Sequence, residues 1–163
     1  MKTVLLMRHA KSSWKDDALA DDQRPLNKRG RHDAPHMGQL LRDAELPPQA
    51  ILSSTAVRAR ETAVAVAEAS GFGGEIQYDA SLYAAPPEAY VAALRQLAPD
   101  IQVALVVGHN PGLEALVQEL TGEDEHMPTA AIARVNLAIE QWSELSLETE
   151  GHLETIWRPR EKE

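Results

Sequence analysis

Apolar β-formers run without a break at two places in the chain, Thr3-Val4-Leu5-Leu6-Met7 and Val103-Ala104-Leu105-Val106-Val107. A strand wet on one face alternates apolar and polar residues, so an unbroken run reads as a strand buried on both faces, the habit of parallel sheets. Arg8-His9 closes the first run, and Gly108-His109-Asn110 closes the second. Helical spacing fills the intervals. Asn27 is placed as the N-cap of a helix running to about Ala44, with Pro35 expected to kink it or delay its start. Ala50-Ile51-Leu52-Ser53 reads as a short buried strand. Ser54 or Thr55 is predicted to cap a second helix, whose apolar positions are Ala63, Val64, Val66 and Ala67 and whose stop is Gly71. A strand is expected within Glu75–Leu82, a helix from Pro86-Pro87 to about Ala98, and another over Leu113–Thr121. Ala130–Ile139 and Leu153–Trp157 read as strands, with Glu150-Gly151 as a turn. The alternation predicts an α/β sandwich with a mainly parallel sheet and antiparallel pairing near the end.

Composition narrows the setting. The length of 163 residues fits a single domain, 1–163, large enough for a real core. Sixteen basic against twenty-five acidic side chains give a formal charge of −9, which disfavours nucleic acid and anionic membranes as partners. An anionic substrate therefore has to be captured by local arginines. With no cysteine, thiol chemistry and thiolate metal ligands are excluded. No apolar run approaches the ~20 residues of a membrane span. Met1-Lys2 leads straight into a strand, so cytoplasmic residence is the expectation.

Open α/β sheets gather their chemistry at the carboxyl ends of the strands, and helix N-termini meet them on that edge. His9, His109 and Arg58, the last at the start of the second helix, are thereby expected at one site. A phosphoryl group in transfer needs an in-line nucleophile and donors around its equatorial oxygens. Arg8 and Arg58 suit the second task, because a guanidinium is permanently charged and can bond two oxygens at once. A neutral imidazole suits the first, attacking through one nitrogen while the other is held by an acceptor. His9, next to Arg8, is the expected nucleophile. His109 would stabilise transition-state charge, aided by amides in the first turn of the helix after it.

Three segments carry a resemblance: Leu6-Met7-Arg8-His9-Ala10-Lys11-Ser12, the stretch from Ser53 to Ala63, and Val107-Gly108-His109-Asn110-Pro111. In order and spacing they resemble the signature segments of the histidine phosphatase superfamily, the phosphoglycerate mutase-like proteins. Asp22-Gln23-Arg24-Pro25-Leu26 and Met127-Pro128-Thr129-Ala130-Ala131-Ile132-Ala133 are similar to the small SixA-type phosphohistidine phosphatases. The resemblance implies a three-layer α/β/α sandwich, with His9 as the phosphorylated nucleophile and Arg8, Arg58 and His109 completing a phosphate pocket. It implies no metal and no organic cofactor. The chain departs from the family pattern at Ala10, where glycine is commonest, at Lys15, where asparagine is frequent, and at Thr55, where proline is usual.

Substrate choice rests on two further points. The stretch from Arg60 to Gly108 is filled by predicted elements, leaving little room for a covering insertion, so the pocket should be shallow and able to admit a phosphorylated side chain of another protein. Alkyl esters need a general acid to protonate the departing oxygen, whereas phosphohistidine departs as neutral imidazole once its ring is protonated. The neighbourhood where many relatives keep a glutamate reads Ser81-Leu82-Tyr83-Ala84-Ala85-Pro86-Pro87-Glu88, leaving Glu88 and Asp79 as fallback acids. The expected activity is hydrolysis of phosphohistidine in proteins. A phosphomonoesterase on a small phosphorylated substrate and a non-catalytic phosphate-sensing domain are the alternatives. His32 and His36 have the spacing of a helical metal pair but no third ligand in view. Trp14 reads as a loop anchor or a stacking surface, Lys15 as a solvated loop residue, and Arg24 as a pocket charge or a partner of Asp21 or Asp22.

Overall fold

A computed structural model describes residues 1–159; residues 160–163 of the expected domain lie outside the described residues. Within the described residues six strands form one sheet: β1 (Lys2–Arg8), β2 (Ala50–Ser53), β3 (Gln77–Tyr78), β4 (Val103–Gly108), β5 (Ile132–Leu137) and β6 (Gly151–Trp157). Their order is β3-β2-β4-β1-β5-β6. The first four pair in parallel, while β5 is antiparallel to both β1 and β6. Among the described residues four helices cover the sheet: α1 (Lys28–Asp43), α2 (Val57–Ser70), α3 (Pro87–Leu94) and α4 (Gly112–Thr121).

The unbroken apolar runs are explained by this layering. Successive strand residues point to opposite faces. Leu5, Met7, Leu105 and Val107 share a core with Met37 and Leu41 of α1 and Ala63 and Val66 of α2. Val4, Leu6, Ala104 and Val106 share the other with Tyr90 and Leu94 of α3 and Leu113 and Val117 of α4. Leu5 and Leu105 are fully buried, so truncating either to alanine would cost about 2–5 kcal/mol. The architecture is the three-layer α/β/α sandwich of phosphoglycerate mutase-like proteins.

Strand register builds the active edge. In the β1–β4 ladder Arg8 lies opposite Gly108, so the next residue on each strand is a histidine. The His9 N–H donates to the Gly108 carbonyl at 3.0 Å, holding the two turns together. From β1 the chain leaves toward α1 on one face, and from β4 toward α4 on the other. Neighbouring parallel strands whose connections part in this way open a crevice at their carboxyl ends.

Several boundaries differ from the sequence expectation. Asn27 caps α1 as expected, its Oδ1 accepting from Gly30 N–H at 2.9 Å, but the helix starts on time and continues through Pro35. The buried Ala34, Met37 and Leu41 in the same turns offset the one lost backbone bond. α2 has no side-chain cap. Ser54 Oγ instead accepts from Ala56 N–H at 3.2 Å and turns toward the active edge. Gly71 ends α2 at φ +84°, a conformation that side chains disfavour. The strand expected within Glu75–Leu82 shrinks to two residues because Asp79 Oδ1 accepts from Ser81 N–H at 2.9 Å and starts a tight turn. α3 stops at Leu94, not Ala98, where Leu97 N–H turns back to the Leu94 carbonyl at 3.1 Å.

Candidate active site

Arg8, His9, Arg58 and His109 line one open cavity of about 320 Å³ at the carboxyl ends of β1 and β4. Their side chains come from three segments that strand register and the start of α2 bring together. The rings of His9 and His109 lie 5.1 Å apart, and both residues are buried.

The His9 tautomer follows from its neighbours. Nδ1 lies 2.8 Å from the Ala10 carbonyl oxygen, which can only accept, so Nδ1 carries the proton. Nε2 is left with a lone pair facing the cavity, where it accepts from Arg58 Nε–H at 3.3 Å. Burial pushes the His9 pKa down to about 3, helped by His109, Arg58 and Arg8, against the opposing pull of the Ala10 carbonyl. The ring is therefore neutral at physiological pH. Thr62 Oγ1 accepts from Ala10 N–H at 3.0 Å and donates to the Arg58 carbonyl at 2.7 Å, fastening the turn after β1 to α2. Ala10 carries no positive φ, so the residue standing where glycine is common causes no strain there.

His109 is held from three sides. Its N–H donates to Tyr90 Oη at 3.1 Å, its Nε2 lies 2.8 Å from Ser54 Oγ, and Tyr83 meets its ring edge-on at 5.4 Å. Gly108 is required beside it, since a Cβ there would come within 2.3 Å of Tyr90 Oη. Burial, with Arg58 and Arg8, lowers the His109 pKa to about 4. Two amides of the first turn of α4 are occupied: Leu113 N–H bonds the His109 carbonyl and Glu114 N–H bonds Asn110 Oδ1.

The arginines divide the anion site. Arg8 Nη1 donates to the Met127 carbonyl at 3.2 Å, while its buried Nε–H has no hydrogen-bond acceptor among the described residues. Glu114 lies behind it as counter-charge and also accepts from Asn110 Nδ2 at 2.9 Å and Met127 N–H at 2.7 Å. Arg58 donates from Nη1 to the Asp21 carbonyl at 2.6 Å and from Nη2 to Asp21 Oδ2 at 3.0 Å. Two backbone strains frame the site, Ala84 at φ +53° and Ala130 at φ +68°, each costing about 1–2 kcal/mol. Ala130 N–H donates to the Arg8 and His9 carbonyls, both at 3.0 Å.

Asp21 was visible in the sequence only as a partner for Arg24. The structure makes it the carboxylate of the cavity wall, joined to Arg58, Arg24 and Tyr83. Tyr83 Oη donates to Asp21 Oδ2 at 2.5 Å. That bond, then Arg58 and Arg24, lower the Asp21 pKa to about 2. Arg24 is buried, donates to Ser12 Oγ at 2.7 Å and stacks 3.6 Å above the Trp14 ring. Tyr83 and Ser54 carried no sequence signal, because their roles depend on contacts across 62 and 55 residues. Asp79, Glu88 and Lys15 do not line the cavity; Asp79 is occupied with Ser81 Oγ at 2.7 Å. His32 and His36 stack at 6.2 Å along α1, and among the described residues no group of three or more His, Cys, Asp or Glu side chains is disposed to hold a metal. No helix of the described residues is long and apolar enough to cross a membrane.

Comparison with known proteins agrees with this geometry. Residues 4–83 match the histidine phosphatase superfamily, branch 1. An uncharacterised protein of Mycobacterium leprae is 33% identical over 156 residues, covering 88% of this chain and 94% of its own. A chloroplastic protein of Arabidopsis thaliana, also uncharacterised, is 32% identical over 157 residues, covering 88% of this chain and 70% of its own. Among solved structures, the SixA protein of Agrobacterium tumefaciens superposes with a TM-score of 0.82 at 30% identity, covering 97% of this chain and 98% of that one. The protein histidine phosphatase SixA complexed with tungstate gives 0.83 at 25% identity, covering 96% and 97%. Phosphatase activity is the activity these relatives support, and the chain belongs to the histidine phosphatase superfamily.

Proposed function

We propose that this protein hydrolyses phosphohistidine on other proteins through a phosphoryl intermediate on Nε2 of His9. The observation that carries the reading is the pinned tautomer: a protonated Nδ1 on the Ala10 carbonyl leaves a neutral Nε2 lone pair in a cavity walled by two arginines. In the first step that lone pair attacks phosphorus. The P–N bond of the substrate breaks, and its electron pair returns to the substrate ring, which is protonated on its other nitrogen and leaves as neutral imidazole. Arg8, Arg58 and a neutral His109 supply donors to the phosphoryl oxygens, and the spare Arg8 Nε–H adds one. In the second step water attacks phosphorus, the pair returns to Nε2, and both water protons leave with phosphate.

Two features support phosphohistidine over an ester. The carboxylate in the wall, Asp21, is held ionised by Tyr83 and Arg58 and so is not a proton donor at neutral pH. An alkyl leaving group would forgo the 10²–10⁴-fold contribution of a general acid, which imidazole does not need. The cavity is open and small, matching a side chain presented from a protein surface better than an enclosed metabolite. Tungstate, a tetrahedral oxyanion like phosphate, accompanies the SixA relative. The test is rapid mixing with a ³²P-phosphohistidine protein, alkaline quenching and mapping of the labelled residue, alongside turnover of aryl, sugar and glycerate phosphates. Label on His9 and preference for phosphohistidine are expected. Label elsewhere, or faster turnover of a sugar phosphate, would overturn the reading.

A further inference from the structure

Four of the polar side chains around the cavity have explained duties at the phosphoryl group; Asp21 does not. It is the one carboxylate among the described residues that line the cavity, and it reaches them from a short turn, Asp21–Gln23, in the loop between β1 and α1. Its side chain is half exposed. Oδ1 accepts from Arg24 Nε and Nη2, and Oδ2 accepts from Arg58 Nη2 and Tyr83 Oη. These bonds fix the carboxylate between two arginines and fill two acceptor positions on each oxygen. A donor from the cavity therefore displaces one of the two long Arg24 bonds to Oδ1, at 3.3 and 3.2 Å.

A carboxylate here is a poor choice for binding phosphate, which it repels. It suits the other half of the substrate. We propose that Asp21 is the specificity-determining residue of the site, accepting a hydrogen bond from the protonated ring N–H of the substrate's phosphohistidine. The assignment rests on the phosphohistidine reading above and deepens it. Phosphohistidine is reactive when its ring carries a proton on the nitrogen that is not phosphorylated, because the P–N bond then breaks to give a neutral imidazole. A carboxylate on that N–H favours the protonated ring and keeps it protonated to higher pH. For a phosphate ester the same carboxylate acts in the opposite sense. The departing oxygen gathers negative charge and has no N–H to offer, so it meets repulsion.

Asp21 also orients Arg58, and a purely structural role would weaken every substrate alike. The ratio of two substrates separates the roles. For wild type, Asp21→Asn and Asp21→Glu, kcat and kcat/KM are measured across pH on a phosphohistidine peptide and on an aryl phosphate, kcat/KM giving the substrate ratio and kcat the titration of the bound substrate. The ratio of phosphohistidine to aryl phosphate is expected to fall at least ~10-fold in Asp21→Asn, the scale of one lost hydrogen bond to a charged group. The alkaline limb of the phosphohistidine kcat profile should move to lower pH, and Asp21→Glu should restore part of both. A smaller change in ratio with an unmoved alkaline limb would overturn the assignment while leaving phosphohistidine as substrate. Wild-type protein that turns over the aryl phosphate but not phosphohistidine would overturn the reading it rests on, and the assignment with it. Should Asp21→Asn fail to fold, the wild-type kcat profile decides. Its alkaline limb is expected above the ring titration of the free peptide followed by ³¹P NMR, and coincidence of the two would reject the role.

Discussion

The floor of the cavity and its rim are built by opposite means. On the floor, His9 and His109 follow paired residues of two central strands, both are buried, and both pKa values are pressed downward by burial. The rim comes from the loop between β1 and α1, where Trp14 is 71% exposed and Asp21 is half exposed, held by Arg24, Arg58 and Tyr83. A floor fixed by the sheet can keep nucleophile and phosphoryl donors within the tolerance that in-line transfer demands. A rim made of a loop can vary without disturbing the core, and is the natural place for substrate choice.

The sharpest break in this comparison is His9→Ala. Turnover should vanish while the circular dichroism spectrum and melting behaviour persist, since the nucleophile is lost and little core is removed; a folded variant with substantial activity would refute the role. Arg58→Ala is next. It removes one charged donor from the floor and should lower kcat by about 10²–10³-fold on every phosphorylated substrate, measured with matched aryl and phosphohistidine substrates.

The two regions should also titrate apart. His9 and His109 are held neutral, with folded pKa values of about 3 and about 4 against an ordinary 6.5. The unfolded chain therefore binds more protons than the folded one as pH falls below 6.5, and stability is lost from there toward about pH 4 for His109 and about pH 3 for His9. The slope should reach about 1.4 kcal/mol per pH unit for each histidine, visible as a falling urea midpoint that flattens in His109→Asn. Asp21 has the reverse partner logic: its carboxylate is favoured in the fold, so its stabilisation is present above 3.8 and declines only as pH falls toward about 2.

Smaller effects belong to the rim. Trp14→Ala unstacks Arg24 without touching the floor, so a loss of a few-fold, mostly in KM and mostly for the phosphohistidine protein, is expected, as suits a cation–π contact of about 0.5–1 kcal/mol. Asp79→Asn and Glu88→Gln should change phosphohistidine hydrolysis by less than about 2-fold, because neither side chain lines the cavity. A ~100-fold loss in either would reinstate a general acid.

Much of this is legible in the amino-acid sequence. Unbroken apolar runs, the Asn27 cap and the Gly71 stop are local signals, and each acts through the residue's own backbone or strand period. His9, His109, Arg8 and Arg58 could be nominated because strand ends and helix starts share an edge in any sheet of this kind. The sequence could not tell that Ser54 serves His109 and not the helix cap, or that Tyr83 fixes Asp21.

The sequence by itself therefore determined the layers, the strand ends and the four residues of the floor, since hydrophobic periodicity and capping are properties of neighbours along the chain. Only the tertiary structure decided the tautomer of His9, the counter-charge of Glu114 behind Arg8, and the place of Asp21 between Arg24, Arg58 and Tyr83. Apart from the local Asp21–Arg24 pair and the bend that brings His9 to the Ala10 carbonyl, those are relations among side chains 37 to 106 positions apart, and desolvation and Coulomb energy depend on distance through space, to which order along the chain is blind.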